Sequence, residues 1–199
     1  MRRFACVVVA VAFMTACGSA GSSSPAEVQQ APSPFAGGEI DKPFTEPDFT
    51  LHDDRGQEYN LSQFRGKVVL VTFIYTHCPD VCPLITAALN EALRELGPDR
   101  DEVRVLAVSV DPEGDTVASV KKYRKERHVL PEFIYLIGTR AELLRVWKAY
   151  HVDAVARAPE LVDHSAYTVL IDQQGKARVL YDSRVQTEPV VHDVRVLLK

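Results

Sequence analysis

Cys78 and Cys82 stand at i and i+4 in the run Cys78-Pro79-Asp80-Val81-Cys82-Pro83. A thiolate is both a nucleophile and a soft metal ligand, so a lone pair of thiols at this spacing closes a disulfide, grips one ion, or does both by turns. Before the run lies an apolar stretch, Val68 to Tyr75; after it, Ile85, Ala88, Leu89, Ala92, Leu93 and Leu96 recur at helical spacing. The pair therefore sits where a buried strand hands over to a helix. Unpaired N–H groups and the positive end of the helix dipole favour ionisation of a thiol there. If the first helical turn includes both cysteines, their sulfurs project to the same side. A static disulfide is a poor alternative, because closing so short a loop yields little entropy.

The start of the chain sets the redox compartment. Arg2 and Arg3 precede an apolar run from Phe4 to Met14, followed by Thr15-Ala16-Cys17. This has the order of a secretory signal, and the run falls short of the roughly 20 residues a bilayer-spanning helix needs. Met14-Thr15-Ala16-Cys17 resembles a bacterial lipobox, in which the cysteine becomes the acylated first residue of the mature chain. Gly, Ser, Ala and Pro dominate from Gly18 to Pro34, a composition that cannot bury enough apolar area to offset chain entropy. Of four cysteines, Cys6 is expected to leave with the signal and Cys17 to be capped by lipid, or to stay a free thiol if the signal is an ordinary secretory one, which leaves Cys78 and Cys82 as the paired thiols of an exported domain. The expected organisation is a signal peptide over 1–16, a lipidated, disordered tether over 17–43 and one folded domain over 44–199. The expected location is the outer face of the bacterial cytoplasmic membrane.

The elements that must position the thiols follow from periodicity. Phe49 to Leu51 and Glu58 to Leu61 flank turn residues Asp54 to Gly56 and predict a hairpin. Lys67 to Tyr75 predicts a strand covered on both faces. Gly97-Pro98 ends the first helix. Val103 to Val110 predicts a second strand, and helices follow over 116–127 and 140–150, the latter with Thr139 and Glu142 as a capping box. Ser165 to Asp172 and Ala177 to Tyr181 predict a hairpin about Gln173-Gln174-Gly175, and a helix over 187–198 closes the chain. The charge runs Lys121 to Arg127 and Asp99 to Glu102 suit a solvated helix face and a loop. The fold class is α/β: a thioredoxin-like fold with an N-terminal β-hairpin extension and an insertion, over about 131–163, before the last hairpin.

The segment Phe73-Ile74-Tyr75-Thr76-His77-Cys78-Pro79-Asp80-Val81-Cys82-Pro83 resembles the signature of the Sco/SenC family of copper chaperones. Val108-Ser109-Val110-Asp111-Pro112 with Asp115-Thr116 resembles a second block of that family. Val162-Asp163-His164-Ser165, followed by Leu170-Ile171-Asp172 and Gly175, resembles a third. The resemblance implies a copper-binding domain whose ligands are Cys78, Cys82 and His164. It makes Asp111 an outer or weak axial candidate and Asp163 a carboxylate that orients His164 through its other ring nitrogen. Two thiolates and an imidazole form a soft, low-coordinate set suited to Cu(I) and able to hold Cu(II), whereas zinc calls for a fourth ligand. This chain departs from the family at Gly114, where arginine is common. His77 is expected to point away from the thiols. His52, His128, His151 and His192 lack a partner motif.

The resemblance also implies a role: a membrane-tethered metallochaperone delivering copper to the dinuclear copper site of cytochrome c oxidase subunit II. The alternative is a thiol–disulfide oxidoreductase in which Cys78 attacks and Cys82 resolves. Thioredoxin-like reductants, however, carry two residues between their cysteines and a proline where this chain has Ser165 to Tyr167. A peroxidase fits less well, since Thr76 is two positions before Cys78 rather than three. With 46% hydrophobic and 25% charged residues over 199 positions, the chain is no multispan membrane protein. Its formal charge of −4, or −6 once Arg2 and Arg3 leave, gives no basic surface for nucleic acid.

Overall fold

The computed structural model describes residues 32–158, 161–164 and 166–199, with backbone alone for 154–158 and 161–164. The signal peptide, Cys17 and most of the expected tether lie outside the described residues. The folded unit runs from Ser33 to Lys199. It thus takes in residues 33–43, which composition had assigned to the tether.

In chain order the elements are β1 (Gly38–Glu39), β2 (Thr50–His52), β3 (Glu58–Asn60), β4 (Val68–Ile74), α1 (Val81–Glu95), β5 (Val103–Ser109) and α2 (Val117–Glu126). There follow β6 (Phe133–Leu136), α3 (Arg140–Ala149), β7 (Ala154–Ala158), β8 (Leu161–His164), β9 (Thr168–Ile171), β10 (Ala177–Tyr181) and α4 (Thr187–Leu197). One sheet of six strands has the order β1-β10-β9-β4-β5-β6. The pairs β4–β5 and β5–β6 are parallel, while β9 runs antiparallel to both β4 and β10. This is the thioredoxin-like order expected, and β4 lies inside it with every residue buried. The β2–β3 hairpin forms its own small sheet, as expected.

Three differences from the sequence reading matter. The stretch 131–163 is not wholly an insertion: Phe133–Leu136 is the parallel edge strand β6, all four residues buried, and only the β7–β8 hairpin stands apart as a separate pair. Four apolar residues carry too little periodicity to separate a strand from a buried loop. Gly97–Glu102 continues past α1 as a 3-10 turn rather than a loop. At the other end, β1 adds to β10 through Gly38–Leu180 and Glu39–Val179. A side chain on Gly37 would come within 2.5 Å of Tyr181 and Val179, so only glycine permits this approach.

The helices form where their caps and apolar faces require. Thr139 accepts from the Glu142 N–H while the Glu142 carboxylate accepts from the Thr139 N–H, closing the expected capping box of α3. The Thr116 hydroxyl caps α2 by accepting from Ser119 N–H. α1 buries Ile85, Leu89, Ala92 and Leu93, and α4 buries Val190, Val191 and Val194. In α2 the charged run is solvent-facing except for Tyr123 and Arg124. The latter reaches Asp54 at 2.7 Å.

Candidate metal centre

β4 brings the chain to the sheet edge at Tyr75, and the next residue is fixed by a single carboxyl. Asp115 Oδ1 accepts from the Thr76 N–H at 2.8 Å and the Thr76 hydroxyl at 2.7 Å. Its Oδ2 accepts from Ser109 at 2.6 Å and from the Tyr135 hydroxyl at 2.8 Å. The ends of β4, β5 and β6 are thus tied to one buried side chain, 4% exposed, whose pKa is raised by burial against the pull of those hydrogen bonds. Sequence reasoning gave Asp115 no role. The signal available was an aspartate four residues beyond Asp111, in the loop leaving a central strand.

From this anchor the chain turns, with Cys78 N–H donating to Tyr75 O at 3.4 Å. α1 begins at Val81, so Cys82 lies in its first turn and Cys78 precedes it. The two cysteines therefore do not share a helical turn. The turn instead folds the Cys78 sulfur back over the helix start, where Sγ accepts from the Cys82 N–H at 3.5 Å. Asp80, at the capping position, makes no side-chain cap bond, and the sulfur serves an orphan N–H in its place. Pro83 fits because a first-turn residue needs no N–H. Both cysteines are thiols and buried, at 8% and 0% exposure.

Their acidities diverge. Cys78 is lowered to about 5, chiefly by the hydrogen bond with the Cys82 thiol, helped by the backbone at Asp80 and Cys82 and the side chain of Tyr75, against burial. Cys82 is pushed well up by the same shared hydrogen bond and by burial, with the charges of Cys78 and Asp115 adding to it. The shared hydrogen bond and the unequal burial thus make Cys78 the more acidic of the pair and Cys82 the less.

His164 ends β8, opposite Ala154, and Asp163 lies opposite Val155. The chain then enters the sheet at Thr168, which pairs with Thr72 near the end of β4. The backbone so leads from His164 to the sheet edge that β4 and the cysteine turn occupy; the side chains of Asp163 and His164 lie outside the described residues. Asp111 is half-buried, and its Oδ1 accepts from Gly114 N–H at 2.9 Å and Glu113 N–H at 3.3 Å. His77, Asp111 and Asp115 bring one ligand atom each within 4.8 Å of one another. His77 thus turns toward the Asp111 loop, yet the carboxyl of Asp115 is already consumed by four hydrogen bonds. A side chain at Gly114 would meet the Asp111 carboxyl, which would have to swing aside to admit one.

The SCO1/SenC family description matches residues 37–199. The mitochondrial SCO2 homolog of Bos taurus is 34% identical over 155 residues, a match covering 74% of this chain and 58% of the bovine protein. The copper-bound structure of Bradyrhizobium japonicum ScoI is 32% identical and superposes with a TM-score of 0.69 over 77% of this chain and 99% of that one. BsSco, described as a member of the Sco family of cytochrome c oxidase assembly proteins and bearing a disulfide switch, is 26% identical. It has a TM-score of 0.65, over 79% of this chain and 96% of its own. Among the described residues no helix is long and apolar enough to cross a membrane. With the three sequence blocks on one thioredoxin-like frame and the family match covering all of the folded unit but its first four residues, the chain belongs to the SCO1/SenC family.

Proposed function

We propose that this chain is a lipid-anchored copper carrier of the bacterial cell envelope. Cys78, Cys82 and His164 take up the ion, and it passes to the dinuclear copper site of cytochrome c oxidase subunit II. The observation that supports this reading best is the pair of buried thiols at the start of α1, with the Cys78 sulfur folded back onto the Cys82 N–H. Cys78 ionises more readily than Cys82, and loading releases the protons that the pair still holds. Two sulfurs and one imidazole leave a coordination position through which an incoming thiolate of the recipient can bind before an old one departs. The reading keeps Asp163 as the carboxylate that would orient His164 through its other ring nitrogen, as the resemblance implies. Asp111, engaged with its own loop, stays an outer contributor. Acylation at Cys17 would hold the domain at the outer face of the cytoplasmic membrane, and the copper bound by relatives such as ScoI supports the choice of metal.

The test is copper loading of reduced and oxidised protein, read by native mass spectrometry, with His164→Ala alongside. The reduced chain is expected to bind one ion and the Cys78–Cys82 disulfide none. His164→Ala should lose Cu(II) while the two thiolates retain weakened Cu(I) binding. Equal loading of both redox forms would overturn the site.

The same acidities favour a second reading, thiol–disulfide exchange. The Cys78 thiolate attacks a target disulfide and releases one target thiolate. Cys82, after losing its proton, then attacks the mixed disulfide, freeing the reduced target and leaving a Cys78–Cys82 disulfide. If this were the main role, His164→Ala would leave copper affinity intact and impair exchange.

A further inference from the structure

Glu46 is 6% exposed, and among the described residues nothing hydrogen-bonds or ion-pairs with its carboxyl. It lines a cavity of about 560 Å³ whose other walls are mainly apolar, among them Phe44, Val169 and Leu180, with Tyr150, Tyr167 and His151, the last making no ion pair with it among the described residues. The tyrosine hydroxyls do not serve the carboxyl, for Tyr150 donates to Pro47 O at 3.0 Å and Tyr167 to Tyr150 O. Burial raises Glu46 to about 7, as desolvation does to a carboxyl lacking a partner. The strip that carries it is held in place: Ala177 N–H donates to Phe44 O at 2.9 Å and Glu46 N–H to Gly175 O at 3.2 Å. The cavity is therefore part of the folded frame, with Phe44 52% and Leu180 46% exposed at its mouth.

A second cavity, of about 480 Å³, shares Tyr167 and Leu180 as walls and continues past Tyr181 to Val185 and Pro189. Since Tyr181 pairs with Thr168, and Thr168 with Thr72, this direction leads toward the sheet edge from which the cysteine turn departs. We propose that the two cavities form one docking groove for an extended segment of a partner polypeptide, which places a basic side chain against Glu46 and an apolar neighbour in the adjoining cavity. A lysine suits the first position. Its alkyl stem covers Phe44 and Leu180, its ammonium supplies the charge the carboxylate lacks, and the tyrosine faces accept a cation. The chain's net charge of −4 draws a basic partner from a distance. The ligand chemistry is independent of the thiols, so the groove stands whether or not the copper reading does.

The experiment titrates the full chain with acetyl-Leu-Lys-Leu-amide, with the same peptide carrying norleucine in place of lysine, and with n-hexylammonium, following the Val169 and Leu180 methyl resonances. The lysine peptide is expected to shift both. Removing its ammonium with norleucine, or Glu46→Gln in the protein, should weaken binding by about tenfold or more, the loss expected for a hydrogen bond to a charged group. Leu180→Ser, at a position 46% exposed, should weaken the peptide as well, with the unchanged amide spectrum of the free variant as its folding control. Equal binding of lysine and norleucine peptides, or no shift with either, overturns the groove. Hexylammonium binding as tightly as the peptide overturns polypeptide docking in favour of a small-amine pocket.

Discussion

Cys78 and Cys82 were legible from spacing alone, but their unequal acidity was not. It depends on a helix that starts one residue before Cys82 and so leaves Cys78 outside, accepting an N–H, and on a hydrogen bond shared between the two buried sulfurs. The consequence is testable through pH. Below the ordinary thiol value of 9.0 the unfolded chain keeps a proton on each cysteine, whereas above about 5 the folded pair keeps one. The unfolded state thus binds more protons between these values, so the stability of the reduced protein rises with pH across that window and the contribution is lost as pH falls through about 5. Urea denaturation from pH 5 to 8 should show the slope in the reduced chain and its loss in Cys78→Ser. A thiol reagent near pH 6 should label Cys78 well ahead of Cys82, which has no exposed surface. Equal labelling would mean the thiolate is not localised on Cys78.

Elements with a long apolar period declared themselves, and those whose identity rests on distant partners did not. β4, α1 and β5 read directly from runs of seven or more patterned residues. β6 did not, because Phe133 to Leu136 becomes a strand only by pairing with β5, and β1 did not, because two residues in a Gly-rich stretch carry no pattern. Asp115 belongs to the same class: Thr76, Ser109 and Tyr135 come from the ends of three different strands, and only the assembled sheet brings them to one carboxyl. Asp115→Ala would leave those buried donors unpaired, at a cost of about 2–4 kcal/mol. Thermal or urea unfolding measures the loss. Because the Thr76 anchor precedes Cys78 by two residues, the variant should also show faster amide exchange at Thr76 and His77 than Asp115→Asn, which retains acceptors for part of the network. Unchanged stability and exchange in Asp115→Ala would show that the turn is held by other contacts.

The boundary of the whole folded unit was misread from composition, since Gly, Ser and Pro extend beyond the point where the chain starts to pack. Phe35 is buried, and the Arg178 guanidinium lies 5.3 Å from its ring centre. Ala36 and Gly37 then donate their N–H groups to the two oxygens of Asp193 at 2.6 and 2.9 Å. Asp193, inside α4, has no exposed surface, and its remaining partners are the Tyr181 hydroxyl and His192 Nδ1, each at 2.8 Å. The N-terminal strip therefore supplies half of the hydrogen bonds of a buried carboxylate as well as the edge partner of β10. A chain beginning at Ser33 should keep the full stability of the folded unit. One beginning at Phe44 forfeits about 1.5–3 kcal/mol from Phe35 burial and about 1 kcal/mol or more for each lost bond to Asp193. It also bares the β10 edge, a template for pairing with another chain. Phe35→Ala isolates the burial contribution without exposing that edge, and Asp193→Asn in the shortened chain removes the stranded charge and should recover part of the loss. Equal denaturation midpoints for chains starting at Ser33 and Phe44 would return residues 33–43 to the tether.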